Sequence, residues 1–307
     1  MKQICCWAIA LLACLLTACE QKELCYDHSH TADLKVVFDW RNDPAAQPAS
    51  MRLYLFPEEG GLPLLYEFAG REGGTITVPA GFYHAVGLNS DTEFILYRNQ
   101  ERYEQFEASL TGGTFSRPVP RAEGTDTQDV RSTPDRLWSD HADEVEVKAS
   151  VPGQVLVLYP KLSVCRYTVE IHNVANLKYL TRGEIFGSLT SMAGGLMMST
   201  GLADNETVTL PFDMTSDRAS NIYAEFYTFG YPVASTAPQY LMVYAILNDG
   251  KKYSFTYDVT AQIHEAPDPK NVHIVLDGLP LPKPIDNGGG FAPTVDDWNT
   301  EEVEISM

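Results

Sequence analysis

Polarity alternates with a period of two along most of this chain, and that constrains its fold more than any other feature. In residues 33–40, Leu34, Val36, Phe38 and Trp40 fall on one side of an extended backbone, with Asp33, Lys35 and Asp39 on the other. In residues 164–171, Cys165, Tyr167, Val169 and Ile171 alternate with Arg166, Thr168 and Glu170; in residues 253–259, Tyr253, Phe255, Tyr257 and Val259 alternate with Ser254, Thr256 and Asp258. Successive side chains of a strand point to opposite faces, so each stretch reads as a half-buried antiparallel strand. Further strands are expected at 51–56, 75–79, 82–88, 143–149, 154–159, 207–212, 221–229, 240–247 and 271–276. Turn signals separate them: Glu58-Glu-Gly-Gly, Pro79-Ala-Gly, Val151-Pro-Gly and Asn248-Asp-Gly. No segment sustains a helical period. The two expected helices are a turn at 135–138 and one or two turns at 261–265. Many short strands with Gly/Pro turns predict an all-β fold, a sandwich or a barrel.

The length divides more naturally into two domains than one, and an apolar content of 44% is ample for two cores. Residues 111–136 are rich in Gly, Thr and Arg and poor in apolar side chains, so they read as a long exposed excursion. A Pro-rich run from Leu279 and then Asp286-Asn-Gly-Gly-Gly290 read as an extended segment and a hinge. Beyond it, Val303 and Ile305 alternate with Glu302, Glu304 and Ser306, which predicts a terminal strand. The expected layout is a leader at 1–18, a tether at 19–26, one domain at 27–150 and a second at 151–278, and a hinge with its strand at 279–307. The middle boundary is the softest, because strands at 143–149 and 154–159 are also compatible with a single hairpin.

The leader carries the localisation signal. Lys2 precedes an apolar stretch from Ile4 to Leu16, and Leu16-Thr-Ala-Cys19 has the small residues of a lipoprotein cleavage site. A competing Leu11-Leu-Ala-Cys14 is followed by further apolar residues, whereas Cys19 is followed at once by Glu20-Gln-Lys-Glu23. The apolar core is short of the roughly 20 residues that span a bilayer. Cys19 is therefore the expected lipidation site and mature N-terminus, and the outer membrane the expected location. Losing residues 1–18 removes Lys2 and takes the formal charge from −19 to −20. Such an acidic chain is a poor nucleic-acid partner, since that binding depends on Lys and Arg neutralising phosphates. An anionic lipid surface repels it too, which leaves the acyl group as the tether. Of six cysteines, Cys25 and Cys165 remain as thiols; Cys165 reads as a small buried hydrophobe and the pair is not a disulfide framework.

No constellation points to chemistry. Asp27-His-Ser-His30 places two imidazoles on one face of a strand, but His84, His141, His172, His264 and His273 show no paired spacing that completes a metal site. Ser139-Asp-His141 is a local run, whereas catalytic triads assemble from separate elements. Asp296-Asp297 and Glu301-Glu302-Glu304 lack the spacing of a calcium loop, and Gly288-Gly-Gly290 lacks a phosphate-loop context. Ser191-Met-Ala-Gly-Gly-Leu-Met-Met198 reads as packing. No catalytic residue, metal site or cofactor is expected, and the chain is not read as an enzyme.

Several stretches resemble fimbrillin-type lipoproteins of Bacteroidales, the building blocks and accessory subunits of type V pili, and within them an uncharacterised domain family. They are His30-Thr-Ala-Asp-Leu-Lys-Val-Val-Phe-Asp-Trp40, Met51-Arg-Leu-Tyr-Leu-Phe-Pro-Glu58, Val164-Cys-Arg-Tyr-Thr-Val-Glu-Ile171, Asn271-Val-His-Ile-Val-Leu-Asp-Gly-Leu-Pro-Leu-Pro-Lys-Pro284 and Gly290-Phe-Ala-Pro-Thr-Val-Asp-Asp-Trp298. The resemblance implies two tandem transthyretin-like, Greek-key sandwiches, pilus or adhesin subunits as partners, and strand donation between subunits. It also implies that a stalk subunit is cut after an arginine, whereas an anchor keeps its lipid. Arg41, Arg117, Arg121, Arg131 and Arg136 are the arginines in view, and none sits in a recognisable cleavage motif. The expected function is pilus anchoring or assembly, or adhesion; the alternative is a glycan-binding lipoprotein with a shallow row of exposed aromatics.

Overall fold

The computed structural model describes residues 30–149, 151–284 and 298–302. The first half contains β1 (Thr31–Phe38), β2 (Ser50–Pro57), β3 (Leu64–Ala69), β4 (Gly73–Pro79), β5 (Gly81–Asn89), β6 (Ile95–Arg98), β7 (Glu107–Leu110), β8 (Asp129–Val130), β9 (Trp138–Val147), β10 (Gln154–Leu158) and β11 (Lys161–Leu162). The second contains β12 (Cys165–Val174), β13 (Leu180–Ala193), β14 (Gly195–Met197), β15 (Thr207–Asp213), β16 (Thr215–Ser216), β17 (Ile222–Thr228), β18 (Tyr240–Leu247), β19 (Lys252–Asp258), helix α1 (Thr260–His264), β20 (Asn271–Leu279) and β21 (Trp298–Glu302). The all-β expectation holds, and among the described residues the α-helix at Thr260–His264 falls where residues 261–265 predict it. The helix expected at 135–138 is absent: Trp138 opens β9, and the Asp135 carboxylate accepts the backbone N–H groups of Glu93 and Phe94 at 2.7 and 2.6 Å.

Two pairs of sheets face each other. In the first half, β10-β1-β4 packs on β11-β9-β5-β2-β3, and Leu34, Val36, Phe38, Leu53, Leu55, Ala85 and Leu158 fill the space between. Gly87 on β5 makes that close approach possible, because a Cβ there would lie 2.7 Å from Leu158 and 2.8 Å from Phe38. In the second half, β16-β17-β12-β20 packs on β21-β19-β18-β13-β15-β8. Tyr167, Val169 and Ile171 of β12 meet Leu241, Val243 and Phe255 of β18 and β19 in the same apolar cluster. Gly187 repeats the device, since a Cβ there would press on the Phe212 ring at 2.8 Å. A fifth sheet, β14-β7-β6, joins the halves. Tyr54, Phe56, Val86 and Leu88 also belong to the second cluster, so apolar packing is continuous across the junction.

Both halves treat their first strand alike. β1 has antiparallel β4 on one side and parallel β10 on the other; β12 has antiparallel β17 and parallel β20. The sequence reading expected antiparallel strands throughout. Alternation fixes which face a residue takes but not the direction of its neighbour. The same topology bears on the boundary read at 150/151. β10 pairs with β1 and β11 with β9, inside the first sandwich, and we propose the division at Ser163–Val164 instead.

Candidate functional site

The outer face of the second sandwich is where remote parts of the chain converge. β18 is buried at Leu241 through Leu247 without a break. Its inner face (Leu241, Val243, Ala245) meets the opposing sheet, while Met242 and Tyr244 point outward and are still 1% and 0% exposed. What covers them is the excursion at 111–136, read from the sequence as exposed because it is poor in apolar residues. Its few apolar side chains suffice: Phe115, Val119 and Ala122 cluster on Met242 and Tyr244. The Tyr244 hydroxyl donates to the Pro120 carbonyl at 2.9 Å, and burial pushes its pKa up to about 12.

Polar contacts pin the excursion. One Arg121 nitrogen donates to the carbonyls of Thr125 and Gln128 at 3.1 Å and to Thr209 Oγ1 at 2.7 Å. The Gln128 amide donates to Ser191 Oγ at 3.0 Å and accepts from the Ser191 N–H at 3.0 Å. Ser191 has φ of 59°, at the irregularity in the β13–β15 ladder between Leu189 and Met192. Arg117 pairs with Glu184 at 3.3 Å, Arg131 with Asp129 and Glu206 at 2.9 and 3.0 Å, and Arg136 donates to the Tyr227 hydroxyl at 2.8 Å.

The C-terminal strand completes this face. β21 runs parallel to β19, with Trp298 opposite Lys252, Thr300 opposite Ser254 and Glu302 opposite Thr256. The Trp298 ring stands edge-on to Tyr244 and Phe186, centroids 5.5 and 6.4 Å away, and its indole N–H donates to the Pro118 carbonyl at 2.8 Å. Asn299 Nδ2 donates to Lys252 O, and the Ser254 hydroxyl to Thr300 Oγ1, both at 3.1 Å. Excursion, sheet and tail thus share one aromatic socket. The expected terminal strand lies further along: β21 starts at Trp298, and residues 303–307 lie outside the described residues.

A carboxylate cluster sits nearby at the bridging sheet. Glu107 pairs with Arg98 at 4.0 Å, and Arg98 lies 3.9 Å from Glu206. Burial raises the pKa values of Glu107 and Asp204, and each keeps one oxygen buried without a hydrogen-bond partner. Among the described residues no group of three or more His, Cys, Asp or Glu has the geometry to hold a metal ion.

Cys19, Cys25, His28 and Asp296-Asp297 lie outside the described residues; His30 is exposed just before β1. Cys165 is a buried free thiol. The remaining motifs are engaged structurally: His84 stacks on Tyr103 at 4.4 Å, His264 on Tyr231 at 4.3 Å, His273 bonds Thr168 at 2.8 Å and His172 pairs with Glu170 at 3.2 Å. Ser139 bonds Ser163 at 2.6 Å and Asp140 accepts the Tyr159 N–H at 2.7 Å, so that local run serves β9 and its neighbours. Among the described residues no helix is long and apolar enough to cross a membrane.

The family described as Domain of unknown function (DUF5119) matches residues 18–213. The chain belongs to the DUF5119 family. A Bacteroides ovatus relative named "Putative fimbrium anchoring subunit Fim4B" is 24% identical to this DUF5119 chain over 95% of both sequences. Among solved structures, a "putative adhesin" from Bacteroides ovatus aligns over 87% of this chain and 99% of its own, with a TM-score of 0.62 and 22% identity. The fimbrial anchor protein Mfa2 from Porphyromonas gingivalis aligns over 80% of this chain and 90% of its own, with a TM-score of 0.51 and 15% identity. At those identities the two structures speak to the fold of this DUF5119 chain. All three similarities agree with the fimbrillin-type resemblance drawn from its strand motifs.

Proposed function

We propose that this DUF5119 chain is a fimbrial subunit of the anchoring type, held at the cell surface through lipid on Cys19 and joined to other pilus subunits, with a structural rather than a catalytic task. The observation that carries the reading is the end-to-end match to a relative named for fimbrium anchoring, over 95% of both chains. The arginines support a retained tether. A protease that releases a lipidated N-terminal piece needs an accessible, extended arginine segment. Arg117, Arg121, Arg131 and Arg136 are held by the contacts just described, and Arg41 sits in a 3-10 turn paired with Asp39. The glycan-binding alternative calls for a row of exposed aromatics. The exposed ones among the described residues are Phe82, Phe94, Tyr159 and Tyr223; they lie on β5, before β6, after β10 and on β17, which makes no row.

The test is metabolic labelling with a palmitate analogue alongside fractionation of fimbriae. The expected outcome is a labelled protein that stays with the outer membrane and co-purifies with fimbriae, and a Cys19→Ser chain that is unlabelled while its fimbriae are shed to the medium. Label surviving Cys19→Ser rules out the tether, and fimbriae unaffected by deletion of the whole chain rule out the anchoring task.

A further inference from the structure

The bridging sheet brings two carboxylates from opposite halves of the chain to one point. In β7, Ala108 and Leu110 enter the apolar cluster, so Glu107 and Ser109 take the other face. Ser109 stands opposite Gly195 of β14 in the ladder. A Cβ on Gly195 would run into Glu107 Oε1 and lie 2.9 Å from Asp204 Oδ2, so both side chains converge on the space that the glycine leaves beside Ser109. The Asp204 N–H donates to the Gly195 carbonyl at 3.0 Å, which fixes its backbone there. Ser109 is 1% exposed, and its hydroxyl, Glu107 Oε1 and Asp204 Oδ1 are all buried without a hydrogen-bond partner. An ionised carboxylate only accepts, so two such oxygens side by side call for a donor or a cation between them. The guanidinium groups at hand are committed. Arg98 lies 4.0 Å from Glu107 and 3.9 Å from Glu206, and Arg131 binds Asp129 and Glu206. With Asp204 these make four carboxylates against two guanidiniums, an excess of two negative charges that one divalent cation matches.

We propose that Glu107, Asp204 and Ser109 form a calcium seat that clasps the two halves of the chain. Glu107 comes from the first half and Asp204 from the second, so the ion joins them beside the sheet that already does. Irregularly placed oxygens, two of them anionic, suit calcium, which accepts roughly six to eight ligands of mixed kind and completes its shell with water. Magnesium demands near-octahedral order and dehydrates reluctantly, so it fits less well. With two carboxylates the affinity belongs to the range of extracellular calcium modules, about 0.1–1 mM. The hydroxyl stands in for the third acidic ligand, in keeping with the absence, among the described residues, of any metal-holding group of three His, Cys, Asp or Glu. The seat requires no fimbrial partner and is independent of the anchoring reading.

The experiment titrates calcium chloride into the full mature chain with Cys19→Ser, by calorimetry and by melting midpoint. Salt is kept at about 0.15 M, where the diffuse attraction of cations to an acidic surface is screened. The expected result is a single calcium ion per chain and a midpoint that calcium raises more than magnesium does. Glu107→Gln should bind at least about tenfold more weakly, and Ser109→Ala should weaken binding by a smaller factor. Glu144→Gln, on the exposed part of β9, should bind as the parent does. Without calcium the Glu107→Gln chain should keep a native circular dichroism spectrum, since the amide replaces a charge that burial disfavours, so its weaker binding reports on the seat and not on the fold. Absence of calcium binding up to about 10 mM, ten times the weak end of that range, overturns the proposal. Equal weakening by Glu144→Gln and Glu107→Gln overturns it too, because it marks diffuse counter-ion binding. Unchanged binding in Ser109→Ala overturns the ligand set and the proposal with it.

Discussion

The two faces of β18 are equally dry but are closed by different means. Inward, Leu241, Val243 and Ala245 meet a second sheet whose own residues alternate in register. Outward, Met242 and Tyr244 are covered by an irregular excursion from the other half of the chain and by the ring of Trp298. The inner closure buries many apolar groups in one cooperative layer. The outer closure rests on a few rings and on polar pins such as Arg121 and Gln128, so it should open locally while the sandwich stays folded.

The comparison can be broken from either side. The largest effect is expected for Leu241→Ala, a cavity in the inner layer costing about 3 kcal/mol, read as a drop in the global melting midpoint. A loss confined to local exchange would mean that the inner layer is not the cooperative unit. Arg121→Ala should come second, costing about 2 kcal/mol through loss of a charged donor to three acceptors. Hydrogen exchange should show the loss mainly in residues 113–128, with a smaller change in the global midpoint. If the global midpoint falls as far as for Leu241→Ala, the two faces are one unit.

The smallest effect has the opposite sign. Burial raises the Glu107 pKa, so its ionised form opposes folding above the ordinary carboxylate range. The native state recovers that stability as pH falls through the raised pKa, and keeps it below the unfolded value. Glu107→Gln should therefore raise the melting midpoint slightly at pH 7, and the gain should fade towards pH 4. A gain that persists unchanged at pH 4 would point to packing rather than charge.

Much of this was legible in the residues. Alternation placed β1, β12 and β19, and the unbroken apolar run Tyr240-Leu-Met-Val-Tyr-Ala-Ile-Leu247 is what a strand covered on both faces looks like. The long β13 escaped because Gly187, Ser188, Thr190 and Ser191 interrupt its pattern, and small residues are what close packing under Phe212 requires. The excursion escaped because its cover depends on where Phe115, Val119 and Ala122 land, not on how many there are. Trp298 was visible as part of a family motif, but its socket is assembled from Pro118, Phe186 and Tyr244, which only the folded chain brings together. The parallel partners of β1 and β12 were likewise invisible, since a neighbour's direction leaves no trace in a strand's own alternation.

The position of β1 has a mechanical consequence. It is the central strand of its sheet, bonded to β4 over seven registered pairs and to β10 over five, and the chain enters it at His30, whose carbonyl accepts the Ala80 N–H at 2.6 Å. Tension applied at His30 along the strand axis loads both ladders in shear, so their hydrogen bonds share the force instead of parting one after another. A filament tugging against a fixed N-terminus would therefore meet the first sandwich in its stiffest direction.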